Sequence, residues 1–502
     1  MLPSGADPAF SFFYSAGLEE RDAHRRPTKQ LRGRPMRNEA LLNTIRTKLF
    51  YGLSDYTKSF PDFSIPQRFR LASPKEGNAL LQDIRSSLRD EKEILLYVHL
   101  PFCFSECLFC NAFPRKSSQS IQKQYLESLM KEVEMYSASG IFDGKKAKCV
   151  YFGGGTPTIF SNEDIRKILD KIRLHLDLSE NCNITSEAHP KGLVKNDRMA
   201  ELSDLGIDRI SIGCQTFDPK VLELCNRSNS ATLVEEVIRA ARKLGLSTNI
   251  DMMIGLPGQT LEGVGKDLDT LSVMAPDSIE YMRHEIVNPL AISLYQSNPG
   301  LLVKTDDLFW MAYHTQEWME TKGYEQNGRF TSEKYFPYRY HWLQEVPFVS
   351  LGSRSRSYTK TVCYDKHEDI TLYMALIDKG VFPIARYMVL TKKEQMYRSL
   401  FLSLQIRNGL DLDVFSNSFG DSALEVFAHL LERLAGYGCI TVDRSAIKLS
   451  KHGRYFVEDV CCFIIDDALR EGDYHGQLKR EPHSSGALSA RAIDLKPTPR
   501  SI

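Results

Sequence analysis

Three cysteines lie close together in the segment LLYVHLPFCFSECLFCNAF, which covers residues 95–113. They are spaced as Cys103-x3-Cys107-x2-Cys110 and follow directly after a short hydrophobic run that is typical of a strand. Three thiolates at this spacing form a soft, anionic ligand set, which suits an iron–sulfur cluster. A four-iron cluster with three protein thiolates has one iron without a protein ligand, and catalysis needs such an open position.

The spacing alone leaves other uses of these cysteines open. Zinc sites usually combine two separated Cys or His pairs, and no second pair lies near Cys103 in the sequence. Three cysteines cannot all pair in disulfides among themselves. Cys107 and Cys110 could mimic the CxxC pair of a thioredoxin-like redox site. The surrounding sequence favours the cluster.

A glycine-rich motif, GGGTP at residues 153–157, ends the next strand-like run. Glycines let the backbone approach a ligand closely and expose its N–H groups. The motif is not a phosphate-binding P-loop, because no Gly-Lys-Ser/Thr follows. One strand away from the three cysteines, it predicts a small ligand bound beside the cluster.

Six strand-like runs alternate with helical stretches such as ATLVEEVIRAARKLGL, a rhythm that predicts parallel βαβ units. Six units indicate an α/β fold with a curved, partly closed (β/α)6 barrel, and a closed eight-unit barrel is the rival. The runs are EILLYVHL, KCVYFGGG, NITSEAHP, RISIGCQT, TNIDMMIG and DSIEYM.

Polar and apolar side chains alternate along these runs, as in Thr185 and Glu187 against Ile184. Successive side chains of a strand face opposite sides, so one set faces the barrel lumen. A purely structural barrel fills its lumen with Val, Ile and Leu. The polar set therefore predicts a ligand bound in the lumen.

Composition divides the chain into five parts. Residues 1–90 form an N-terminal extension, partly helical, with a basic start that we expect to be partly disordered. The barrel is assigned to 91–295, and an aromatic-rich extension that covers the substrate to 296–385. A small winged-helix-like α+β domain without a basic stripe follows at 386–470, and a flexible tail at 471–502.

The whole chain has 502 residues, 42% of them hydrophobic and 25% charged, which is typical of a globular protein. Lys+Arg and Asp+Glu number 64 each, so no global charge would attract nucleic acid. Eleven cysteines without framework spacing favour a reducing compartment. No apolar run approaches the roughly 20 residues of a membrane helix. We expect a cytoplasmic enzyme without a nucleic-acid partner or a transmembrane segment.

Taken together, these motifs resemble those of the radical S-adenosylmethionine (SAM) enzymes, in the branch similar to oxygen-independent coproporphyrinogen III oxidase. The resemblance covers about residues 90–470. It rests on YVHLPFC, CxxxCxxC, YFGGGTPT, EAHP, RISIGCQTF, LCNRS, NIDMMIGLPGQT and LGSRSRSY, in this order.

The resemblance implies a [4Fe–4S] cluster on Cys103, Cys107 and Cys110, with SAM on the open iron. It implies that Tyr97 lies near the sulfonium, and His99 is a second catalytic candidate that could equally be a core histidine. The residues implied to hold SAM are Gly154, Gly155, Thr156, Glu187, Gln215, Arg227 and Asp251. Their types suit a sulfonium cation, a ribose diol and an α-carboxylate.

In such enzymes one electron from the reduced cluster cleaves SAM to methionine and a 5′-deoxyadenosyl radical, which abstracts a hydrogen atom. The electron donor is expected to be a flavodoxin or ferredoxin. This branch is also known for binding a second SAM. Its candidate neighbours here are the backbone beside Gly154 and Gly155, together with Phe109, Met253 and Met282.

The substrate is expected to differ from that of the tetrapyrrole decarboxylase, whose third cluster cysteine is followed by Gly-Cys. Here Cys110 is followed by Asn111, Ala112 and Phe113. An aromatic-rich segment at 295–345 could line an apolar pocket or belong to the core. Together, the absence of Gly-Cys and this segment favour methyl transfer to an sp2 carbon of an aromatic small molecule. Menaquinone is the best single candidate, and a quinone would imply peripheral membrane contact. A coproporphyrinogen-type oxidase and a haem chaperone are the alternatives.

Overall fold

The computed structural model describes residues 39–50, 68–111, 116–194, 197–327, 329–331 and 337–471. The expectations for the basic start and for residues 472–502 lie outside these ranges. The main sheet has thirteen strands, in the order β1-β13-β12-β11-β10-β2-β3-β4-β5-β6-β7-β9-β8. The strands are β1 (Arg70–Leu71), β2 (Glu93–Leu100), β3 (Lys146–Gly154), β4 (Asp177–Ala188), β5 (Arg209–Gln215), β6 (Ser247–Ile254), β7 (Ser278–Arg283), β8 (Glu325–Asn327), β9 (Arg329–Thr331), β10 (Phe348–Leu351), β11 (Arg356–Tyr358), β12 (Val362–Lys366) and β13 (Ile384–Val389).

The centre of this sheet confirms the predicted α/β architecture. Strands β2 to β7 pair in chain order and are parallel, as six βαβ units require. β10 extends them in parallel beside β2, and the strands beyond β10 and β7 are antiparallel. The hydrogen-bonded order of the described strands ends at β1 and β8, so the closed eight-unit barrel is not formed.

Helices cover the apolar face of the strands, where Val98, Ile210 and Ile250 are fully buried. The helices are α1 (Glu39–Lys48), α2 (Pro74–Ser87), α3 (Gln119–Ala138), α4 (Asn162–His175), α5 (Arg198–Asp204), α6 (Pro219–Leu224), α7 (Ala231–Lys243), α8 (Leu261–Met274), α9 (Pro289–Ser297), α10 (Thr305–Thr321), α11 (Pro337–Leu343), α12 (Ile370–Asp378), α13 (Lys392–Ser403), α14 (Leu412–Phe419), α15 (Ala423–Val426), α16 (Ala428–Gly436), α17 (Lys451–Tyr455) and α18 (Val457–Glu471).

Helix α7 illustrates why these segments fold as they do. The Ser230 side chain accepts a hydrogen bond from the Leu233 N–H and so caps the first turn. Val234, Val237, Ile238 and Ala241 follow at helical spacing and are all buried. The amphipathic pattern thus fixes both the start of the helix and the face that packs on the sheet.

The C-terminal part combines helices α13 to α18 with a small sheet of order β14-β16-β15. Its strands are β14 (Leu410–Asp411), β15 (Ile440–Val442) and β16 (Ala446–Leu449). This arrangement agrees with the expected winged-helix-like α+β pattern. Residues Asn38–Ala468 form one continuous unit, so the boundaries drawn from composition within it stay predictions. Among the described helices, none is both long and apolar enough to cross a membrane.

Candidate active site

The loop that carries the three cysteines follows β2 and is anchored from two other elements. The Asn288 side-chain amide donates to the backbone carbonyls of Cys107, at 3.4 Å, and Cys110, at 3.0 Å. The Asn226 amide donates to the Glu106 carbonyl at 2.8 Å. These bonds satisfy backbone groups of the loop that regular secondary structure would otherwise pair.

The three thiols line one cavity. Burial raises the pKa of Cys103 to about 11. A hydrogen bond of 3.2 Å with the Thr156 hydroxyl lowers this pKa and only partly offsets the burial. An Arg227 Nη1 donates to Cys107 Sγ at 3.5 Å. Protein thiols with raised pKa values become thiolates when they bind metal. Within the described ranges no three such side chains converge on a single metal ion, and a cluster with several irons does not require that convergence. This donor set fits an iron–sulfur cluster.

The glycine loop packs against the cysteine loop rather than presenting its N–H groups. The N–H groups of Gly155 and Thr156 donate to the carbonyls of Leu100 and Phe102, both at 2.8 Å. The Gly154 N–H donates to Glu187 Oε2 at 3.1 Å. The expectation of N–H groups exposed to a ligand is therefore wrong for these three residues, because the protein itself uses them.

Glycine is nevertheless required in this loop. A Cβ at Gly155 would lie 2.4 Å from the Phe102 carbonyl oxygen, and a Cβ at Gly154, whose φ is +111°, would lie 2.6 Å from the His99 ring. The motif therefore permits close contact between two loops, and its residues Gly154, Gly155 and Thr156 form part of the cavity wall.

Glu187 is the acidic group of β4 that faces the cavity. Its carboxylate accepts a hydrogen bond from the Tyr151 hydroxyl at 2.9 Å, besides that from Gly154. Burial raises the pKa of Glu187 to about 7, and the two hydrogen bonds only partly offset this. A carboxylate in this setting is stabilised by a cationic ligand, which suits an ammonium or sulfonium group.

Gln215 and Arg227 form a second polar corner of the cavity. Gln215 has a φ of +75°, which is uncommon for a residue other than glycine and typical of functional sites. Among the described residues, Gln215 Oε1 and Arg227 Nε are buried without a hydrogen-bond partner. A Cβ at Gly213 would lie 2.8 Å from Arg227 Nη2, so glycine makes room for the guanidinium. Partnerless polar atoms beside a cavity fit a polar ligand.

Asp251 lies on the floor of the same cavity, on β6. The Asn249 amide donates to Asp251 Oδ1 at 2.6 Å, and Asn249 also donates to the Ser211 hydroxyl at 2.9 Å. This network orients the carboxylate. An oriented carboxylate can accept hydrogen bonds from a diol such as that of a ribose.

One cavity of about 420 Å³ brings these residues together. This volume falls in the range of about 300–1,000 Å³ that small-molecule sites occupy. The sequence-predicted residues that line it are Cys103, Cys107, Cys110, Gly154, Gly155, Thr156, Glu187, Gln215, Arg227, Asp251 and Met253. Met253 packs with Phe109 and Met282, the other candidate neighbours of a second SAM.

Tyr97 and His99 do not line the cavity. They lie behind the glycine loop, where the Tyr97 hydroxyl is 3.4 Å from His99 Nδ1. Burial lowers the pKa of His99 to about 3, so its ring is neutral. Both residues pack against the loop, and a catalytic role for either stays a prediction.

Another part of the cavity lining comes from residues that the sequence did not single out. They include Thr315 and Gln316 of α10, Arg339 of α11, and Gln405 beyond α13. The described aromatic residues of segment 295–345 do not line the cavity, and several, such as Phe309, are buried in the core. Tyr151 was also missed, although its place two residues before Gly153 on β3 puts it on the same face.

Comparison with known families agrees with this geometry. Residues 97–271 match the profile of the radical SAM superfamily, and residues 390–456 match the HemN C-terminal domain. The oxygen-independent coproporphyrinogen III oxidase of Escherichia coli is 25% identical over 450 residues, covering 85% of this chain and 97% of the relative. That of Pseudomonas aeruginosa is 26% identical over 409 residues, covering 76% and 87%.

Heme chaperone HemW of Bacillus subtilis is 29% identical over 380 residues, covering 72% of this chain and 97% of the relative. Among solved structures, coproporphyrinogen III oxidase (HemN) from Escherichia coli superposes with a TM-score of 0.70 at 23% identity. That superposition covers 83% of this chain and 99% of the other, and it supports the fold.

These relatives give no support to the methyl transfer and the menaquinone substrate expected from the sequence. They agree on the cluster and on SAM, for which the cavity carries a fitting set of thiols and polar groups. By these matches the chain is similar to the radical SAM superfamily, and within it to the HemN-type coproporphyrinogen oxidases and the HemW heme chaperones.

Proposed function

We propose that this chain is a radical SAM enzyme that acts on a tetrapyrrole, with oxidative decarboxylation of coproporphyrinogen III as its reaction. The observation that carries this proposal is the shared cavity. Its lining combines residues of the radical SAM segment with Phe401, Gln405 and Tyr455, which come from the segment that matches the HemN C-terminal domain. A substrate between them would contact both.

The chain's own residues would divide the work as follows. Cys103, Cys107 and Cys110 would hold the cluster, and Glu187 and Arg227 would bind the amino and carboxylate groups of SAM. When bound, the reduced cluster and SAM together supply a carbon-centred radical that can abstract a hydrogen atom. The protein contributes the position of the reacting atoms and the exclusion of water.

Alignment length supports an oxidase over a chaperone. The coproporphyrinogen oxidase of Escherichia coli aligns with 85% of this chain, whereas HemW of Bacillus subtilis aligns with 72%. The oxidase proposal thus accounts for more of the molecule.

A haem chaperone is the second candidate, and two observations favour it. Asn111 stands where the decarboxylase has glycine, and its amide donates to Glu285 Oε2 at 3.2 Å across the mouth of the cavity. The HemW relative is also the more identical, at 29%.

A second SAM beside Met253 and a flavodoxin or ferredoxin donor belong to the proposal as further elements.

One anaerobic incubation tests these functions. The reconstituted protein is supplied with dithionite, deuteriomethyl-SAM and coproporphyrinogen III, and products are followed by mass spectrometry. Carbon dioxide, 5′-deoxyadenosine and a vinyl-bearing porphyrinogen are the expected products. Stoichiometric haem binding without turnover would favour the chaperone. Deuterated methyl groups in an added aromatic substrate, with the porphyrinogen unchanged, would contradict the proposal.

A further inference from the structure

A polar part of the cavity lining is given no role in holding the cluster or SAM by the proposed function. We name it the distal wall and define it by Thr315, Gln316, Arg339 and Gln405, which all line the cavity. None of these residues lies within the radical SAM segment 97–271. Their chemistry therefore concerns whatever occupies the cavity beside the cofactor.

Two atoms of the distal wall are buried without partners. In the part of the chain that the structure describes, Thr315 Oγ1 and Gln316 Oε1 have no hydrogen-bond partner, and Thr315 is only 1% exposed. They lie on the cavity face of α10, beside Ala312. Buried polar groups are normally paired, so adjacent unpaired groups beside a cavity point to a ligand that pairs with them.

Arg339 gives the distal wall a fixed cation. Its Nη2 donates to Gln405 Oε1 at 3.1 Å, and Gln405 in turn donates to the Phe401 carbonyl at 3.1 Å. The guanidinium carbon lies 3.9 Å from the centre of the Trp342 ring. Stacking and hydrogen bonding hold the planar fork in one orientation, and that fork matches a carboxylate.

The other charged groups near this wall are engaged with each other. Glu458 lies 3.6 Å from Arg283 Nε, and Arg283 also pairs with Asp459. This arrangement directs the Glu458 carboxylate towards Arg283 rather than leaving it as the dominant charge of the wall.

We infer that the distal wall binds a carboxylate side chain of the substrate, with Arg339 and the Thr315 hydroxyl as donors and Gln316 Oε1 as acceptor for an N–H group of the same molecule. This inference rests on the proposed function and extends it, because it assigns the residues that select an acidic tetrapyrrole. It separates the molecule into a cofactor end and an acid-recognition end.

The test measures binding of coproporphyrin III and of its tetramethyl ester to the reconstituted, SAM-loaded protein by fluorescence titration. Arg339→Met is the main variant, and Arg339→Lys keeps the charge without the fork. Arg433→Met is the matched control, because Arg433 stacks on Phe463 at 4.2 Å outside the cavity lining. Thr315→Val is a second probe, since its methyl group replaces an unpaired hydroxyl and should leave the melting temperature unchanged.

We expect Arg339→Met to weaken binding of the free acid by about tenfold or more, as loss of a charge-assisted contact does. Ester binding and SAM affinity should not change, and Arg433→Met should match the wild type. Equal affinity of the wild type and Arg339→Met for the free acid, with both folded, would overturn the inference and leave the proposed function standing. Failure of the wild type to bind either porphyrin would overturn both.

Discussion

Arg283 and Asp459 form a buried two-pronged ion pair that ties the end of β7 to the last helix. Nη1 and Oδ1 are 2.8 Å apart, and Nη2 contacts Oδ2. Their side chains are 5% and 0% exposed. Because Arg283 and the neighbouring Glu458 both line the cavity, this pair holds the C-terminal part against the site.

Asp459→Asn is expected to destabilise the protein by about 3–5 kcal/mol, since it removes the fully buried carboxylate charge that pairs with the Arg283 guanidinium. Urea denaturation measures the change in the free energy of unfolding. The exposed pair Arg46–Asp306, with side chains 35% and 68% exposed, is the control, and Asp306→Asn should cost less than about 1 kcal/mol. Similar losses for both variants would contradict this account of the pair.

The double variant Arg283→Met/Asp459→Leu separates charge from packing. It removes both buried charges and replaces them with apolar side chains, so it should recover most of the stability lost in Asp459→Asn. A double variant less stable than the single one would mean that the ion pair itself is needed to hold the last helix against β7.

Gly155→Ala should disrupt the contact between the glycine loop and the cysteine loop. Its Cβ would lie 2.4 Å from the Phe102 carbonyl oxygen, so one loop must move. We expect a lower iron content after reconstitution and weaker SAM binding. Gly265→Ala in α8, where a Cβ meets nothing within 4 Å, is the control and should keep its iron. Full iron loading of Gly155→Ala would refute the packing role of the motif.

The raised pKa of Glu187, about 7, predicts that SAM binds more tightly as pH rises. The cation of SAM favours the ionised carboxylate, so its affinity should increase about tenfold per pH unit below pH 7 and level off above it. Equilibrium dialysis between pH 5.5 and 8.5 measures this slope. The Glu187→Gln variant should bind SAM weakly and without this pH dependence. The Glu262→Gln variant, which changes an exposed residue, should keep the pH dependence.

The raised pKa of Glu187 has the opposite effect on the folding stability of the SAM-free protein, which should fall as pH rises. The folded protein keeps a proton on Glu187 up to about pH 7, whereas the unfolded chain loses it near the ordinary glutamate pKa of 4.5. Stability contributed by this group is therefore present at low pH and is lost as pH rises between these values. In the SAM-free protein, Glu187→Gln should flatten the dependence of the free energy of unfolding on pH in this window. An unchanged dependence would contradict the raised pKa of Glu187.

The strands were predictable because each alternates between a buried apolar face and a polar lumen. RISIGCQT at 209–216 became β5, Arg209–Gln215. The prediction failed in β4, which begins at Asp177, well before NITSEAHP at residue 183. Its first half is largely polar and pairs only with the start of β3, so burial imposes no alternation there.

The grouping of Glu187 and Asp251 in one cavity was predictable for the same reason, since they stand at lumen positions of β4 and β6. The distal wall was not, because Thr315 and Arg339 come from helices without a motif and meet only after the chain has folded. The glycine loop was recognised as a motif, but its N–H bonding was misjudged, because sequence does not reveal which carbonyl groups lie opposite Gly155.

The most direct test of the central claim is electron paramagnetic resonance of the dithionite-reduced, reconstituted protein with and without SAM. We expect a reduced [4Fe–4S] signal that changes when SAM is added and disappears in Cys103→Ala, Cys107→Ala and Cys110→Ala. Cys225→Ala, which removes a fully buried thiol near Cys107, should keep the signal. A cluster signal that survives loss of any of the three cysteines, or that does not respond to SAM, would contradict the account.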